Sequence, residues 1–234
     1  MMSSCHAVIV TAAGSSRRFN ESSDSASELK KEFLTIGGQQ ILSMSIRPFL
    51  QVPGTGVLAV TYRDGDLDAV KGIVDGLSDL TTDVDVLYVK GGSTRQESVF
   101  NALKALSECR KCNDIKLVSI HDGARPFVTS DLVKACLDAA DIHGGACPCI
   151  RITDTIVKVG EDGLLCGRLS RDGVCSVQTP QTFRFPDILK AHFAAKSGKS
   201  YTDDTEIFMD CGGKVAFVQG STDNRKITYS TDLR

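Results

Sequence analysis

The chain has 234 residues, of which 41% are hydrophobic and 24% charged, as in an ordinary globular protein of one large or two small domains. The formal net charge of -2 argues against a non-specific nucleic-acid binder, which would be basic overall. No apolar run approaches the roughly 20 residues that span a membrane, and residues 1–6 lack the pattern of a signal peptide. With nine cysteines, an odd number, these features predict a cytoplasmic protein with free thiols and no membrane attachment.

The first β-branched run, Val8 to Val10, leads into small residues and then into two arginines, Arg17 and Arg18. This pattern predicts a buried strand that enters a tight loop. Small side chains let a ligand approach backbone N–H groups, and guanidinium groups donate to phosphate in pairs. Lys31 or its neighbour Lys30 could add a further cation, and spacing alone does not choose between them. The stretch is therefore a candidate polyphosphate site, and a plain turn with solvated arginines is the alternative.

Apolar periodicity predicts alternating strands and helices along the rest of the chain. The predicted helices are 41–50, 67–77, 98–106, 130–143, 186–195 and one that begins at Asp203, and the predicted strands are 56–61, 84–89, 116–120, 146–152 and 215–218. A hairpin is predicted around the turn at 161–163, and a mobile polar loop over 20–28. The alternation predicts a single α/β domain, with a Rossmann-like, mostly parallel twisted sheet and helices on both faces.

In open α/β sheets, ligands bind beyond the carboxyl ends of the strands. This rule places the first loop and the loops after Val89 and Ile120 at one edge of the sheet. The last of these loops carries Asp122, which could hold Mg²⁺ or a substrate hydroxyl, and Arg125, which could reach a phosphate. A structural Asp–Arg turn is the alternative.

Two patterns typical of other chemistries fail on their spacing. The segment 197–200 resembles the end of a P-loop, but Phe193 stands where that motif needs its first glycine. Cys109-x-x-Cys112 and Cys147-x-Cys149 could supply four thiolates to zinc, but the second spacing does not suit a zinc site. We therefore expect neither a Walker-type nucleotide site nor structural zinc.

Seven motifs follow one another across nearly the whole chain: Thr11-Ala12-Ala13-Gly14-Ser15-Ser16-Arg17-Arg18, Lys31-Glu32-Phe33-Leu34, Gly91-Gly92-x-x-Arg95-x-x-Ser98-Val99, His121-Asp122-Gly123-Ala124-Arg125-Pro126, Asp154-Thr155-Ile156, Thr179-Pro180-Gln181 and Asp223-Asn224-x-Lys226. In this order they resemble the 2-C-methyl-D-erythritol 4-phosphate cytidylyltransferase family of non-mevalonate isoprenoid biosynthesis. The resemblance implies a nucleotidyltransferase-type fold with a protruding β-arm. It also implies transfer of CMP from CTP to 2-C-methyl-D-erythritol 4-phosphate, with release of pyrophosphate and with Mg²⁺ as cofactor.

The resemblance also implies roles for individual residues. Arg18 and Lys31 would be the catalytic pair. The CTP-binding residues would be Ala12, Ala13, Gly14, Ser15, Ser16, Arg17, Gly92, Ser93 and Ser98. The residues that bind the second substrate would be Asp122, Arg125, Thr155, Arg171, Thr179 and Lys226. Asp122 would also ligate Mg²⁺, unless the CTP phosphates alone carry the ion.

The same resemblance implies a homodimer that exchanges an arm of about residues 150–175, so that Thr155 and Arg171 reach the site of the partner subunit. The predicted hairpin matches this arm. The sequence departs from the family pattern at Ser16, where glycine is usual, and we expect the loop to adopt a positive φ less freely there. Further departures are Phe19 for a common methionine, Lys30 for proline, Ser93 for an acidic residue, and an end at Arg234 before the usual terminal helix. These departures remove no charged catalytic group, and the early end bears on dimer stability more than on chemistry.

Two other functions stay open at this stage. A ribitol-5-phosphate cytidylyltransferase would share the fold, CTP and much of the motif set, although Ala12-Ala13-Gly14 and the segment around Arg171 favour the methylerythritol enzyme. A non-catalytic nucleotide-binding protein could use the same fold, because fold does not determine function. The charged residues of the motifs argue against this second alternative.

Overall fold

The computed structural model describes residues 5–22, 30–195, 199 and 201–233. Its strands are β1 (Cys5–Thr11), β2 (Thr35–Ile36), β3 (Gln39–Gln40), β4 (Thr55–Tyr62), β5 (Asp85–Lys90), β6 (Ile115–Asp122), β7 (Gly145–Arg151), β8 (Ile156–Val159), β9 (Leu165–Leu169), β10 (Cys175–Val177), β11 (Gln181–Arg184) and β12 (Val215–Gln219). Its α-helices are α1 (Arg17–Glu21), α2 (Ile41–Leu50), α3 (Leu67–Asp75), α4 (Arg95–Glu108), α5 (Ser130–His143), α6 (Phe185–Ala194) and α7 (Asp204–Asp210), with 3₁₀ turns at Lys31–Phe33, Cys112–Asp114 and Ser230–Leu233.

The helices and strands predicted from periodicity are confirmed, with ends that agree or differ by a few residues. Most of the polar loop predicted over 20–28 lies outside the described residues, as do most of the P-loop-like segment and the predicted end of α6 near Gly198. Among the residues that are described, no helix combines the length and the apolar character needed to cross a bilayer.

Eight strands of the described chain form one mixed sheet, and the prediction of a mostly parallel sheet is confirmed. β1 lies between β4 and β6 and is parallel to both, and β5 continues the sheet in parallel beyond β4. β11 is antiparallel and lies between β6 and β7, while β7 also pairs with β10 and β12. We did not predict β10 and β11, because both are short and adjoin the polar motif at 178–181, which interrupts any apolar period.

The core has two layers, because consecutive residues of β1 face opposite sides of the sheet. Val8 and Val10 pack into one buried cluster together with residues of α2, α3 and α5. Ala7 and Ile9 pack into the other, with residues of α4, α6 and α7. The sheet is therefore covered by helices on both faces, as predicted.

The predicted hairpin is present as the antiparallel pair β8–β9, a two-stranded sheet separate from the main one. Its turn is closed by the Gly160 N–H, which donates to the Leu164 carbonyl at 2.8 Å, and by the Asp162 carboxylate, which accepts from the Leu164 N–H at 3.0 Å. Several apolar side chains of this segment are exposed: Val157, Val159, Leu164, Leu165 and Leu169. That the hairpin acts as a dimerisation arm stays a prediction.

Candidate active site

A cavity of about 530 Å³ opens at the carboxyl ends of the parallel strands, at the edge where the strand rule places a ligand. Its walls come from the loops after β1, β4, β5 and β6, from the 3₁₀ turn at Lys31–Phe33 and from the segment after β12. The lining residues are Thr11, Ala13, Gly14, Ser15, Ser16, Arg17, Arg18, Phe19, Lys31, Glu32, Arg63, Gly92, Ser93, Thr94, Arg95, Ser98, Asp122, Ala124, Lys226 and Thr228.

The loop of residues 12–18, which we name the β1 loop, forms one wall. Its base is fixed by the Ala12 N–H, which donates to the carbonyl and hydroxyl oxygens of Thr61, each at 3.2 Å. Ala12 is buried beneath the loop and does not line the cavity. Within the described part of the chain, the N–H groups of residues 13–15 donate to no protein acceptor. These donors are available to an anion in the cavity.

The loop after β5 packs directly against the β1 loop. A Cβ atom on Gly91 would lie 2.3 Å from the Cβ of Ala13, so only glycine permits this approach. The Ser98 hydroxyl accepts from the Gly92 N–H at 3.0 Å and so links α4 to this loop. Gly92, Ser93 and Ser98, the three predicted CTP-binding residues of this segment, all line the cavity.

Ser16 adopts the left-handed conformation with φ of 53°, at the position where we expected serine to take a positive φ less freely than glycine. That conformation costs a residue other than glycine about 1–2 kcal/mol. The Ser16 hydroxyl donates to the Glu32 carboxylate and accepts from the Lys31 N–H, each at 3.3 Å, and these bonds offset the cost. The serine side chain therefore joins the β1 loop to the segment that carries Lys31.

Lys31 and Arg18 bring positive charge into the cavity, which both residues line, whereas Lys30 does not line it. The Lys31 side chain is 8% exposed, and its Nζ donates to the Ile227 carbonyl at 2.6 Å. Burial lowers the pKa of Lys31, and the charges of Lys226 and Arg18 lower it further, while the carboxylates of Glu32 and Asp122 act in the opposite direction. Three cations therefore lie within electrostatic reach of one another, an arrangement that an anionic ligand would stabilise.

Arg17 also lines the cavity but is 82% exposed, and its Nε lies 3.6 Å from the Glu21 carboxylate on the next turn of α1.

Asp122, the last residue of β6, is buried among three cations. Its Oδ2 accepts from Lys226 Nζ at 2.8 Å, and its Oδ1 accepts from Arg95 Nε at 3.3 Å. Arg125 Nε lies 3.6 Å from Oδ2. Burial alone would raise the pKa of Asp122, but the charges of Lys226 and Arg95 hold that pKa far below its usual range. Asp122 is therefore a carboxylate that orients the cations around it.

Arg95 is a cavity residue to which the sequence analysis assigned no role, although its motif was recognised. Its guanidinium bridges Asp122 to Asp204, whose Oδ2 accepts from Arg95 Nη1 at 2.7 Å. Asp204 is fully buried, and its Oδ1 lies 3.1 Å from Nε2 of His192. The position of Arg95 after Gly91-Gly92 was the available signal, but its partner Asp204 follows only after more than a hundred residues of chain.

Thr179 and Arg125, two predicted substrate residues, lie behind Asp122 and do not line the cavity. The Thr179 hydroxyl accepts from the Asp122 N–H at 3.1 Å and lies 2.9 Å from Nδ1 of His121. Burial lowers the pKa of His121 to about 4, so the ring is neutral at pH 7. The geometry then fits a Thr179 hydroxyl that donates to Nδ1 and a His121 Nε2–H that donates to the Arg125 carbonyl at 3.1 Å. Thr179 and Arg125 therefore support the position of Asp122.

Thr155 and Arg171 flank the exposed hairpin and do not line the cavity of their own chain. The Arg171 guanidinium donates to the Thr153 carbonyl. A single chain therefore does not bring these two predicted residues to the site, and their contribution to a partner subunit stays a prediction.

The carboxylates of the cavity offer little to a metal ion. Mg²⁺ prefers one or two open carboxylates together with water and phosphate oxygens. Both Asp122 oxygens face cations, and Glu32, the other lining carboxylate, is buried, which raises its pKa. Across the described residues, no three His, Cys, Asp or Glu side chains cluster as a metal site. The arrangement fits an ion carried by phosphates better than one held by Asp122.

Comparison with known proteins agrees with this geometry. The family profile of 2-C-methyl-D-erythritol 4-phosphate cytidylyltransferase matches residues 6–234. The bifunctional enzyme IspD/IspF of Rhodobacter capsulatus is 38% identical over 97% of this chain and 54% of its own length, so the chain spans about half of that relative. The 2-C-methyl-D-erythritol 4-phosphate cytidylyltransferase of Cereibacter sphaeroides is 34% identical over 97% of this chain and 93% of its own length.

Solved structures give the same result. The 4-diphosphocytidyl-2C-methyl-D-erythritol synthase of Anaerococcus prevotii superposes with a TM-score of 0.79 and 28% identity, over 98% of this chain and 92% of its own. The 2-C-methyl-D-erythritol 4-phosphate cytidylyltransferase of Thermus thermophilus superposes with a TM-score of 0.75 and 28% identity, over 96% of this chain and 94% of its own. Profile, relatives and structures thus agree over nearly the whole chain, which belongs to the 2-C-methyl-D-erythritol 4-phosphate cytidylyltransferase family.

Proposed function

We propose that this protein transfers the CMP group of CTP to 2-C-methyl-D-erythritol 4-phosphate, forming 4-CDP-2-C-methyl-D-erythritol and pyrophosphate. The observation that carries the proposal is the cavity itself. Backbone N–H donors of the β1 loop and the charges of Arg18, Lys31 and Lys226 converge there on one space. Membership of the family supports the same activity, because the Cereibacter sphaeroides relative, which the chain covers almost completely, is named for it.

The reaction needs no protein nucleophile. A phosphate oxygen of the methylerythritol phosphate attacks the α-phosphorus of CTP, and the bond from that phosphorus to the pyrophosphate oxygen breaks. Charge builds on the oxygens of the transferred group, and fixed cations stabilise this charge without reorganisation. Lys31 Nζ donates to the Ile227 carbonyl, and the Ser16 hydroxyl links the β1 loop to the Lys31 N–H. Both walls of the cavity are therefore in place before the substrate enters. We assign Arg18 and Lys31 to this stabilisation.

The Asp122 cluster is assigned to the second substrate. Lys226 Nζ uses one of its three donors on Asp122, which leaves donors for a phosphate or hydroxyl in the cavity. Arg125 and Thr179 act from behind, because they fix the side chain and the backbone of Asp122. Mg²⁺, which we propose enters with the CTP phosphates, would neutralise part of their charge.

We also propose a homodimer in which the hairpin reaches the partner's cavity with Thr155 and Arg171. Two observations support it: the hairpin exposes apolar side chains, and neither residue lines the cavity of its own chain. A cytoplasmic setting without nucleic-acid or membrane partners is part of the same proposal, and the net charge of -2 and nine free cysteines support it.

Pyrophosphate release tests the chemistry directly. We expect release from CTP with 2-C-methyl-D-erythritol 4-phosphate, little with ribitol 5-phosphate, and a loss of orders of magnitude in the Arg18→Ala variant. Faster release with ribitol 5-phosphate would replace the proposed substrate. No release with either polyol phosphate, in protein that binds CTP, would favour the non-catalytic alternative.

Subunit mixing tests the exchanged arm. Arg18→Ala and Arg171→Ala variants should each be nearly inactive alone. If the arm completes the partner's site, mixed dimers contain one site with both arginines intact. Random exchange then restores about a quarter of the wild-type activity, because half of the dimers are mixed and each has one intact site. Activity that stays at the level of the separate variants, although subunits exchange, would refute arm exchange.

A further inference from the structure

Lys30 lies next to the cavity and has no role in the proposed mechanism. Its side chain is only 7% exposed, and its Nζ donates to the Gly14 carbonyl at 2.7 Å. The same Nζ lies 3.2 Å from Oδ2 of Asp66 and 5.9 Å from the ring centroid of Phe33. Lysine is almost never fully buried without partners, and these contacts are the partners that allow its side chain to be buried here.

Asp66 is the ion-pair partner of Lys30. It stands at the N-cap of α3, a position that favours aspartate because the side chain accepts from the first turn of the helix. Its carboxylate makes no such bond and instead lies between Lys30 at 3.2 Å and Arg63 at 3.6 Å. Arg63 lines the cavity, so Asp66 connects the wall after β4 with the β1 loop.

The contact fixes the orientation of one peptide group of the β1 loop. The carbonyl of Gly14 points to Lys30, which does not line the cavity. In a trans peptide the C=O and the following N–H point in opposite directions, so the Ser15 N–H points away from Lys30, and Ser15 itself lines the cavity. Gly14 would tolerate other orientations of this peptide, because glycine has no Cβ atom to restrict its backbone. A flipped peptide would present a carbonyl oxygen to the phosphates, which it repels.

We infer that Lys30 and Asp66 are positioning residues, which hold the Gly14–Ser15 peptide with its N–H towards the cavity and thereby set the affinity for the triphosphate of the nucleotide. The inference rests on the proposed function, since it takes CTP as the ligand.

Lys30→Met and Asp66→Asn test the inference, since each removes the charge and keeps the approximate shape. We expect the Kd values for CTP and for inorganic triphosphate, measured by calorimetry, to rise about tenfold in Lys30→Met, as for the loss of one charge-assisted hydrogen bond. The rise should be smaller in Asp66→Asn, which removes the ion pair with Lys30 and leaves the bond to Gly14. The KM for 2-C-methyl-D-erythritol 4-phosphate should stay unchanged. The double variant should bind no more weakly than Lys30→Met, because both residues act through one contact. Lys90→Met and Asp64→Asn are matched controls, from an exposed ion pair of 3.0 Å between the end of β5 and the loop after β4.

Unchanged Kd values in folded Lys30→Met, with wild-type protein that binds CTP, would overturn the inference and leave the proposed function intact. A similar rise in the KM for CTP and in the KM for 2-C-methyl-D-erythritol 4-phosphate would also overturn it, and so would equal effects in the control pair. In either case the substitution would not act on triphosphate binding specifically. Wild-type protein that binds neither CTP nor inorganic triphosphate would overturn the inference, and the proposed function with it. Binding without pyrophosphate release would remove the proposed function alone, and the Kd comparison would still decide the role of Lys30.

Discussion

Replacing Lys31 by methionine should lower the turnover far more than it lowers the stability of the fold. Methionine keeps most of the buried stem and removes the ammonium group, which donates to the Ile227 carbonyl at 2.6 Å and otherwise faces the cavity. Removal of one such stabiliser from a preorganised site costs about 10²–10³ in kcat, or about 2.7–4 kcal/mol. The fold loses less, because the unpaired Ile227 carbonyl costs about 1–3 kcal/mol and removal of a buried charge offsets part of that cost. We therefore expect a folded protein with its turnover nearly abolished.

The assay is pyrophosphate release at saturating CTP and methylerythritol phosphate, with urea unfolding of the same preparations. Lys90→Met is the control, since it removes a lysine from an exposed ion pair outside the cavity. A Lys31→Met variant with kcat within about threefold of the wild type, less than the effect expected from one lost stabiliser, would refute the electrostatic role. A large rise in the KM for CTP with unchanged kcat would also refute it, because Lys31 would then bind the ground state and the transition state equally.

Three further outcomes follow from the site. Lys31 must be protonated to act, and its pKa is lowered in the ligand-free cavity, so the alkaline loss of kcat/KM for CTP, which reports the free enzyme, should set in below the pH of about 10.4 expected for an ordinary lysine, and a pH profile of the wild type should show it. Asp122→Asn leaves partly buried cations without their buried carboxylate and should lower the free energy of unfolding, measured in urea, by about 1–3 kcal/mol; an unchanged value would show that this charge cluster does not stabilise the fold. Ser16→Ala should unfold more easily than Ser16→Gly, by about 1 kcal/mol, because both lose the hydroxyl and only alanine keeps the cost of the positive φ; equal stabilities would show that the left-handed conformation is not retained.

Much of the fold could be predicted because local patterns carry it. The period of the apolar residues defined α2 and α5, and the short β-branched runs defined β1 and β6. The rule that ligands bind at the carboxyl ends of parallel strands then placed the β1 loop and Asp122 at one edge, where the cavity lies. No residue-level contact was needed for either step.

The contacts within the site could not be predicted, because they join residues far apart in the chain. Asp122 and Lys226 are separated by 104 positions, and no local pattern shows that the two side chains meet. The compensation at Ser16 could not be predicted for a related reason: the cost of a positive φ is local, but the bonds that offset it come from Lys31 and Glu32. Thr179 was recognised by its motif, yet only the strand β11, which was not predicted, explains why it lies behind Asp122.

The charges of the cavity link the two proposed substrates. Lys226 and Arg18 lower the pKa of Lys31, and the carboxylates of Glu32 and Asp122 offset this repulsion among the cations only in part. A triphosphate beside Lys31 reduces that repulsion, and so does a phosphate beside Lys226. Each ligand therefore lowers the cost of keeping the cations that the other ligand uses, and each raises the pKa of Lys31 when it binds. Asp122 limits the effect, because it already neutralises part of the charge of Lys226 through the bond at 2.8 Å. The two anionic ligands also repel each other, and by linkage the net factor by which one changes the affinity for the other is the same in either order of binding.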